Sequence, residues 1–161
     1  MNNQLCKEPG AGKLHAGFCR GISLARGLST QPNILLDYLL CREPFDRWAR
    51  EIVIACRQKQ VSGCIAAHSI SNMFFILRKA FSVGERRKLL RNLCELFEVE
   101  GIDKVKILEA LDNENVLDFE DCLQMECAEV FRADYIVTRN GDDFKDSKIP
   151  CIEPEDFCRL L

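Results

Sequence analysis

The stretch VLDFEDCLQMECAEVFRADYIVTRNGDDF, Val116–Phe144, decides which fold this chain adopts. Residues 118–133 place apolar side chains at helical spacing and predict one amphipathic helix. The apolar residues that follow, within 134–138, predict a short buried strand, and RNGDDF at 139–144 predicts a turn. A helix that leads into a short apolar strand is typical of α/β domains.

The same alternation of helices and strands extends along the chain on both sides of this stretch. A helix is predicted to begin at Pro32–Asn33, where proline suits the first helical turn. Further helices are predicted within 44–60, 70–81, 84–97, 103–113 and 154–161, and strands within 61–69, 97–102 and 149–154. This order predicts an α/β fold with a mostly parallel sheet, in which functional sites lie at the carboxyl ends of the strands.

The composition is that of a soluble protein with one folded domain. The chain has 161 residues, of which 47% are hydrophobic and 29% are charged. It contains no apolar run near the roughly 20 residues that span a bilayer, so we expect a cytoplasmic protein with no membrane segment. The ten cysteines fall mostly within apolar patterns and form no CxxC pair, so we expect reduced thiols.

The charge is distributed unevenly along the chain. Residues 1–30 contain four basic side chains and one acidic side chain, so the net charge of -3 leaves about -6 for the remainder. This acidic body argues against tight, nonspecific binding of nucleic acid by charge alone. We expect residues 1–30 to be a flexible or atypical N-terminal extension, and residues 31–161 to be the folded domain.

Acidic residues occur at two places that an α/β fold brings together. Asp118 and Asp121 share one side of a helix start, where the helix dipole is expected to keep both ionised. Asp142 and Asp143 follow the strand at 134–138. Magnesium and manganese ions prefer oxygen ligands, so this pattern is compatible with a metal-dependent nuclease. On spacing alone, helix caps or solvated acids are the alternative.

Three segments resemble the PIN domain family, the small α/β nucleases that include the VapC-like toxins. They are NILLDYLLCREPF at 33–45, DFEDCLQMECA at 118–128 and ADYIVTRNGDDF at 133–144. The resemblance covers residues 33–161 and implies a PIN-like three-layer α/β/α domain. It also implies an endoribonuclease that depends on Mg²⁺ or Mn²⁺, cuts RNA, and serves as the toxin of a pair with an antitoxin protein. Apolar helix faces are compatible with a homodimer.

The resemblance also assigns roles to individual residues. Asp121 matches the helix aspartate of the family and Asp143 its late aspartate, and both are implied to be catalytic metal ligands. Asp118, one helical turn before Asp121, is implied to be an additional catalytic acid. Thr138 and Asn140 match polar positions that support the site.

Two positions depart from the family pattern. Gln31 stands where the first catalytic aspartate is usual, and residues 25–29 are a poor match to the apolar strand that usually precedes it. Asn72 replaces a glutamate and offers a carbonyl oxygen without charge. Asp37 either supports the site or decorates the first helix. These departures imply an impaired or inactive nuclease, and the alternative is a noncatalytic PIN-like module that binds a protein or RNA partner.

Overall fold

The computed structural model describes residues 26–116 and 118–161, and within them five strands form one parallel sheet. The strands are β1 Arg26–Thr30, β2 Val61–Ala66, β3 Glu98–Glu100, β4 Tyr135–Val137 and β5 Cys151–Ile152. Their order across the sheet is β3-β2-β1-β4-β5. The chain therefore winds outward from β1 in both directions, which opens a crevice at the carboxyl ends of the central strands.

Seven helices join these strands in the described residues. They are α1 Pro32–Leu40, α2 Asp46–Arg57, α3 Ala67–Ile76, α4 Val83–Leu96, α5 Lys104–Asp112, α6 Phe119–Phe131 and α7 Pro154–Cys158. Short 3₁₀ turns occupy Leu77–Lys79 and Gly141–Phe144. The predicted α/β fold is confirmed, and each predicted helix forms, although α3 begins at Ala67, within the segment 61–69 that was predicted to be a strand.

Helices cover both faces of the sheet. Ile136 and Val137 are successive residues of β4, so their side chains point to opposite faces. Val137 packs into the larger hydrophobic core with residues of α1–α4 and α7, whereas Ile136 packs into a smaller core with Met125 and Ala128 of α6. The sheet therefore lies between two helical layers, as predicted.

The predicted domain boundary at residue 31 is wrong, because Arg26–Thr30 forms the central strand. Leu28, Ser29 and Thr30 are all buried, and β1 pairs with β2 on one side and β4 on the other. The polar side chains are accommodated by hydrogen bonds: Oγ1 of Thr30 donates to the carbonyl of Cys64 at 3.2 Å. Residues 1–25 of the extension predicted for 1–30 lie outside the described residues.

The cysteines and the helices test two further expectations. Seven described cysteines carry free thiols, as predicted, but Cys41 is disulfide-bonded, so the expectation is wrong at that position. Among the described helices, none has the length and apolar character needed to cross a membrane.

Candidate functional site

Gln31 lies at the centre of a polar network at the carboxyl ends of β1 and β4. Its side chain is buried, and its Nε2 donates to Oδ1 of Asp121 at 3.1 Å. Its Oε1 accepts from Oγ1 of Thr138 at 2.5 Å and from Nδ2 of Asn33 at 3.2 Å. A neutral side chain thus joins the end of β1, the start of α6 and the end of β4 by hydrogen bonds.

Asp121, in the first turn of α6, carries the largest electrostatic perturbation of the site. Its pKa is raised from 3.8 to about 6, first by burial and then by the negative charges of Asp118, Asp143 and Glu120. The hydrogen bond from Gln31 opposes this rise. Asp121 is therefore ionised at neutral pH, as expected, but it takes up a proton at a higher pH than an ordinary aspartate does, because burial and like charges disfavour its charge.

Asp118 has two roles in the structure. As the N-cap of α6, its Oδ1 accepts from the backbone N–H groups of Glu120 at 2.8 Å and Asp121 at 3.4 Å. Its side chain also lines a cavity of about 250 Å³ with Asp121 and Asp143. The capping alternative and the site assignment are therefore compatible with each other.

This cavity, which we call the acidic cleft, is strongly negative. Its lining consists of Asn115, Val116, Asp118, Asp121, Asp142, Asp143, Lys145 and Asp146. Lys145 is the only basic member, and its Nζ lies 2.9 Å from Oδ1 of Asp142. The cleft therefore has excess negative charge that a cation can offset.

The turn after β4 positions Asp143. Thr138 is buried, and its Oγ1 accepts from the backbone N–H of Asn140 at 2.9 Å. The carbonyl of Asn140 in turn accepts from the backbone N–H of Asp143 at 3.1 Å. Buried Phe144 anchors the same turn in the smaller core. Thr138 and Asn140 thus contribute to the turn that holds Asp143 at the cleft.

Glu120 is a site residue that the sequence reasoning missed. Nδ2 of Asn72 donates to Oε2 of Glu120 at 2.7 Å, so α6 supplies a charge beside the neutral Asn72. Glu120 also affects His68. Burial lowers the pKa of His68, and the negative charges of Glu120 and Asp118 oppose this shift only in part. The signal was present in three acids within four residues, DFED at 118–121.

Asp37 lies away from the acidic cleft. It is buried, with Oδ2 3.1 Å from Nε of Arg139 and Oδ1 3.7 Å from Nη1 of Arg42. Burial raises its pKa, and the two arginines oppose that rise. The structure therefore groups Asp37 with Arg139 and not with Asp121 and Asp143.

The donor set of the cleft suits a hard divalent ion held by few protein ligands. Within residues 26–116 and 118–161, no group of three or more His, Cys, Asp or Glu side chains is arranged to hold a metal. Mg²⁺ commonly binds through one or two carboxylates and keeps several waters. Asp121 and Asp143 provide two carboxylates, and the negative charge of Asp143 adds to the effect of burial in raising the pKa of Asp121. A divalent ion would offset this repulsion. The residues therefore fit a water-rich site and not a closed cage.

Comparison with known proteins gives a family match and two similar folds. A profile described as the PIN domain matches residues 32–142, which is more than half of the chain. A chain of a toxin-antitoxin complex from Klebsiella pneumoniae has 20% identity and a TM-score of 0.59, over 79% of this chain and 97% of that chain.

A chain of VapBC2 from Rickettsia felis, bound to a DNA fragment from their promoter, has 11% identity and a TM-score of 0.58. The match covers 79% of this chain and 98% of that chain. No curated protein matches this sequence. At these identities the two structures show a shared fold, and it is the fold predicted from the sequence.

Proposed function

Because the chain belongs to the PIN domain family, we propose that it is a Mg²⁺- or Mn²⁺-dependent endoribonuclease of reduced activity. The observation that supports this is the convergence of Asp118, Asp121 and Asp143 on one cleft. That cleft lies at the carboxyl edge of the sheet, where α/β enzymes keep their sites. Burial and, after it, the negative charges of its neighbours raise the pKa of Asp121 to about 6, and these like charges favour the binding of a cation.

In this proposal each residue has a stated task. Asp121 and Asp143 hold the metal, and Asp118 adds negative charge while it caps α6. A bound divalent ion supplies Lewis-acid stabilisation of the phosphodiester and lowers the pKa of water. Thr138 and Asn140 support the turn that carries Asp143, and Asn72 with Glu120 contacts the substrate at the rim of the cleft.

Gln31 is the proposed cause of the reduced activity. An aspartate at this position would add a negative charge to the ligand set, and ligand charge sets much of the affinity for a divalent ion. Gln31 instead donates a hydrogen bond to Oδ1 of Asp121 and so competes with a metal for that oxygen. We expect metal binding to be weak and cleavage to be slow.

The proposed function includes binding to a protein partner. The two similar solved structures are described as toxin-antitoxin assemblies, and we propose that this chain is likewise a cytoplasmic toxin with an antitoxin. Val105, Leu108 and Leu111 are each about half exposed or more on α5. Such a row of apolar side chains is compatible with a protein interface, either with an antitoxin or in a homodimer.

The second candidate is a noncatalytic PIN-like module that binds a protein or RNA partner. The closed hydrogen-bond network of Gln31 favours it, because both ends of the amide are satisfied without a metal. A site that needs no cation to satisfy its polar groups can be retained for structure alone.

Cleavage of single-stranded RNA in Mn²⁺ separates the two candidates. For a nuclease we expect slow cleavage that EDTA, Asp121→Asn and Asp143→Asn each abolish, because each removes the metal or one of its ligands. Asp112→Asn, at an exposed position at the end of α5, is the matched control and should cleave like the wild type. Gln31→Asp should increase the rate.

Circular dichroism and thermal melting should confirm that every variant is folded. If folded wild type and folded Gln31→Asp both leave RNA intact in Mn²⁺, the nuclease proposal is wrong and the noncatalytic module stands.

A further inference from the structure

A second cavity, of about 320 Å³, lies next to the acidic cleft and has the character of a ligand pocket. Ligand pockets of this size are mostly apolar and aromatic, with a few polar groups that orient the ligand. This one is lined by Ile34, Phe45 and Trp48 together with Asp37 and Arg139. We propose that it binds an unstacked guanine base of single-stranded RNA.

The aromatic side chains supply surface for a planar ligand. Phe45 is 41% exposed, and the guanidinium of Arg139 lies 4.2 Å from the centre of its ring. Trp48 carries the guanidinium of Arg47 at 3.9 Å on its ring. Unstacked bases of RNA stack on aromatic side chains and on arginine planes, so this lining suits a nucleobase.

Asp37 supplies the acceptors that select guanine. Its side chain is 1% exposed, and neither carboxylate oxygen accepts a hydrogen bond from the described residues. The ion pairs with Arg139 and Arg42 balance its charge, and because a carboxylate has about four acceptor sites, its oxygens keep capacity for a further donor. Guanine alone among the four bases presents two adjacent N–H donors on its pairing edge, and these match the two oxygens of a carboxylate.

The charge inside the cavity favours a neutral base over a cationic side chain from a protein partner. Arg139 already places a positive charge beside Asp37, and a second cation would be repelled. At the rim, Arg159 pairs with Glu155 at 2.8 Å and with Asp156 at 2.7 Å. Arg159 balances only one of these two charges, and Glu153 adds another, so the rim stays negative and a cationic side chain has to be tested as an alternative ligand.

The position of the cavity connects it to the cleft. Arg139 and Glu153 line this cavity and also a shallow depression that contains Asp142 and Asp143. A base held in the cavity would therefore belong to a nucleotide next to the acidic residues. Cleavage beside guanine rests on the proposed nuclease function, whereas binding of the base does not.

Trp48 is the only tryptophan of the chain and reports on the cavity directly. We expect guanosine 5′-monophosphate to change Trp48 fluorescence saturably in EDTA. The adenosine, cytidine and uridine monophosphates should bind about tenfold more weakly, since a bidentate contact discriminates between bases on that scale. N-acetyltryptophanamide in place of the protein corrects for absorption by the nucleotides.

Two variants test the assignment of residues. Phe45→Leu should weaken guanosine monophosphate binding about fivefold or more, within the range for loss of one stacking contact. Phe75→Leu is the matched control, because Phe75 is 63% exposed and also carries an arginine, Arg78, on its ring. Asp37→Asn should abolish the preference for guanine, and thermal melting verifies that it is folded. If Asp37→Asn unfolds, the difference in guanosine monophosphate binding between Phe45→Leu and Phe75→Leu tests the proposal instead.

Three results would overturn the proposal: no saturable change with guanosine monophosphate, equal binding of all four nucleotides, or equal loss in both phenylalanine variants. Tighter binding of N-acetylargininamide than of the nucleotide would instead identify a pocket for a protein side chain. Because the titration is performed without metal, its failure leaves the nuclease proposal unaffected, and a failure to cleave RNA leaves the binding result unaffected.

Discussion

At the scale of single residues, the protonation of the acidic cleft depends on how Gln31 and the neighbouring acids shift the pKa of Asp121. The amide of Gln31 stabilises the ionised carboxylate with one hydrogen bond. Partial burial, and after it three negative neighbours, act in the opposite direction and dominate, so the pKa is raised to about 6. The metal-free cleft therefore takes up a proton as the pH falls toward 6, above the usual range of an aspartate.

The free energy of unfolding should depend on pH because of this protonation. Asp121 has a pKa of about 6 in the folded chain and near 3.8 when unfolded, so it favours folding fully below about pH 4 and loses this contribution as the pH rises through 6. Asp121→Asn keeps a neutral side chain at every pH. In EDTA, urea unfolding should show the variant gaining about 1–2 kcal/mol over wild type between pH 4 and pH 7.5, after allowance for solvent screening.

Comparing the two proteins at each pH removes the titration of groups that do not interact with Asp121. A difference that stays constant, or that falls as the pH rises, would contradict the raised pKa of Asp121.

At the scale of elements, periodicity predicted the helices because each one buries a stripe of apolar residues at helical spacing. The strand β1 was missed because RGLST lacks such a pattern: Ser29 and Thr30 are buried polar residues, and Thr30 is satisfied by a carbonyl of β2. The site was predicted in part for a related reason. Gln31 and Asp121 are 90 residues apart, and no local pattern reveals that their side chains are hydrogen-bonded.

The pairing of Asp37 illustrates the same limit. Its position on α1 left open whether it faced the site or decorated the helix. Only the fold shows that Arg139, which follows β4, occupies the space beside it. Partners that come from distant elements are determined by tertiary packing, which local spacing does not encode.

Gly63 of β2 shows how closely the elements approach each other. A Cβ at this position would contact the ring of Phe97, with Cε1 at 2.6 Å, and Sγ of Cys56 at 3.1 Å. Gly63→Ala should therefore lower the free energy of unfolding by about 1–3 kcal/mol, the usual cost of overpacking. Gly84→Ala in α4 is the matched control, since its Cβ would meet nothing within 4 Å.

Urea denaturation measures both glycine variants. Gly84→Ala should be neutral or slightly stabilising, because alanine favours helix. Equal effects of the two substitutions on the free energy of unfolding would contradict a destabilising clash between the added Cβ and Phe97.

At the scale of the whole molecule, α7 closes the larger core. Phe157 is fully buried, lies edge-on to Tyr135 of β4 with ring centres 6.2 Å apart, and packs in the same core as α2. Residues near the end of the described chain are thus joined to the central sheet. We expect one cooperative unfolding transition that includes α7.

Removing the ring of Phe157 tests this coupling. Phe157→Ala should lower the free energy of unfolding by about 3–5 kcal/mol, with loss of apolar burial and creation of a cavity. Phe75→Ala, at a mostly exposed position, should cost less than about 1 kcal/mol. Calorimetry and urea denaturation measure both. A small, local effect of Phe157→Ala would mean that α7 docks independently of the core.

The central position of β1 has a consequence for the nascent chain. Thr30 pairs with Val137, so one edge of β1 stays unpaired until more than one hundred further residues are synthesised. At translation rates of roughly 5–20 residues per second, this delay is on the order of 5–20 s. Pairings of such long sequence separation form slowly, and an open strand edge recruits other chains. On the ribosome, the strand that organises the finished sheet is therefore the one most exposed to aggregation.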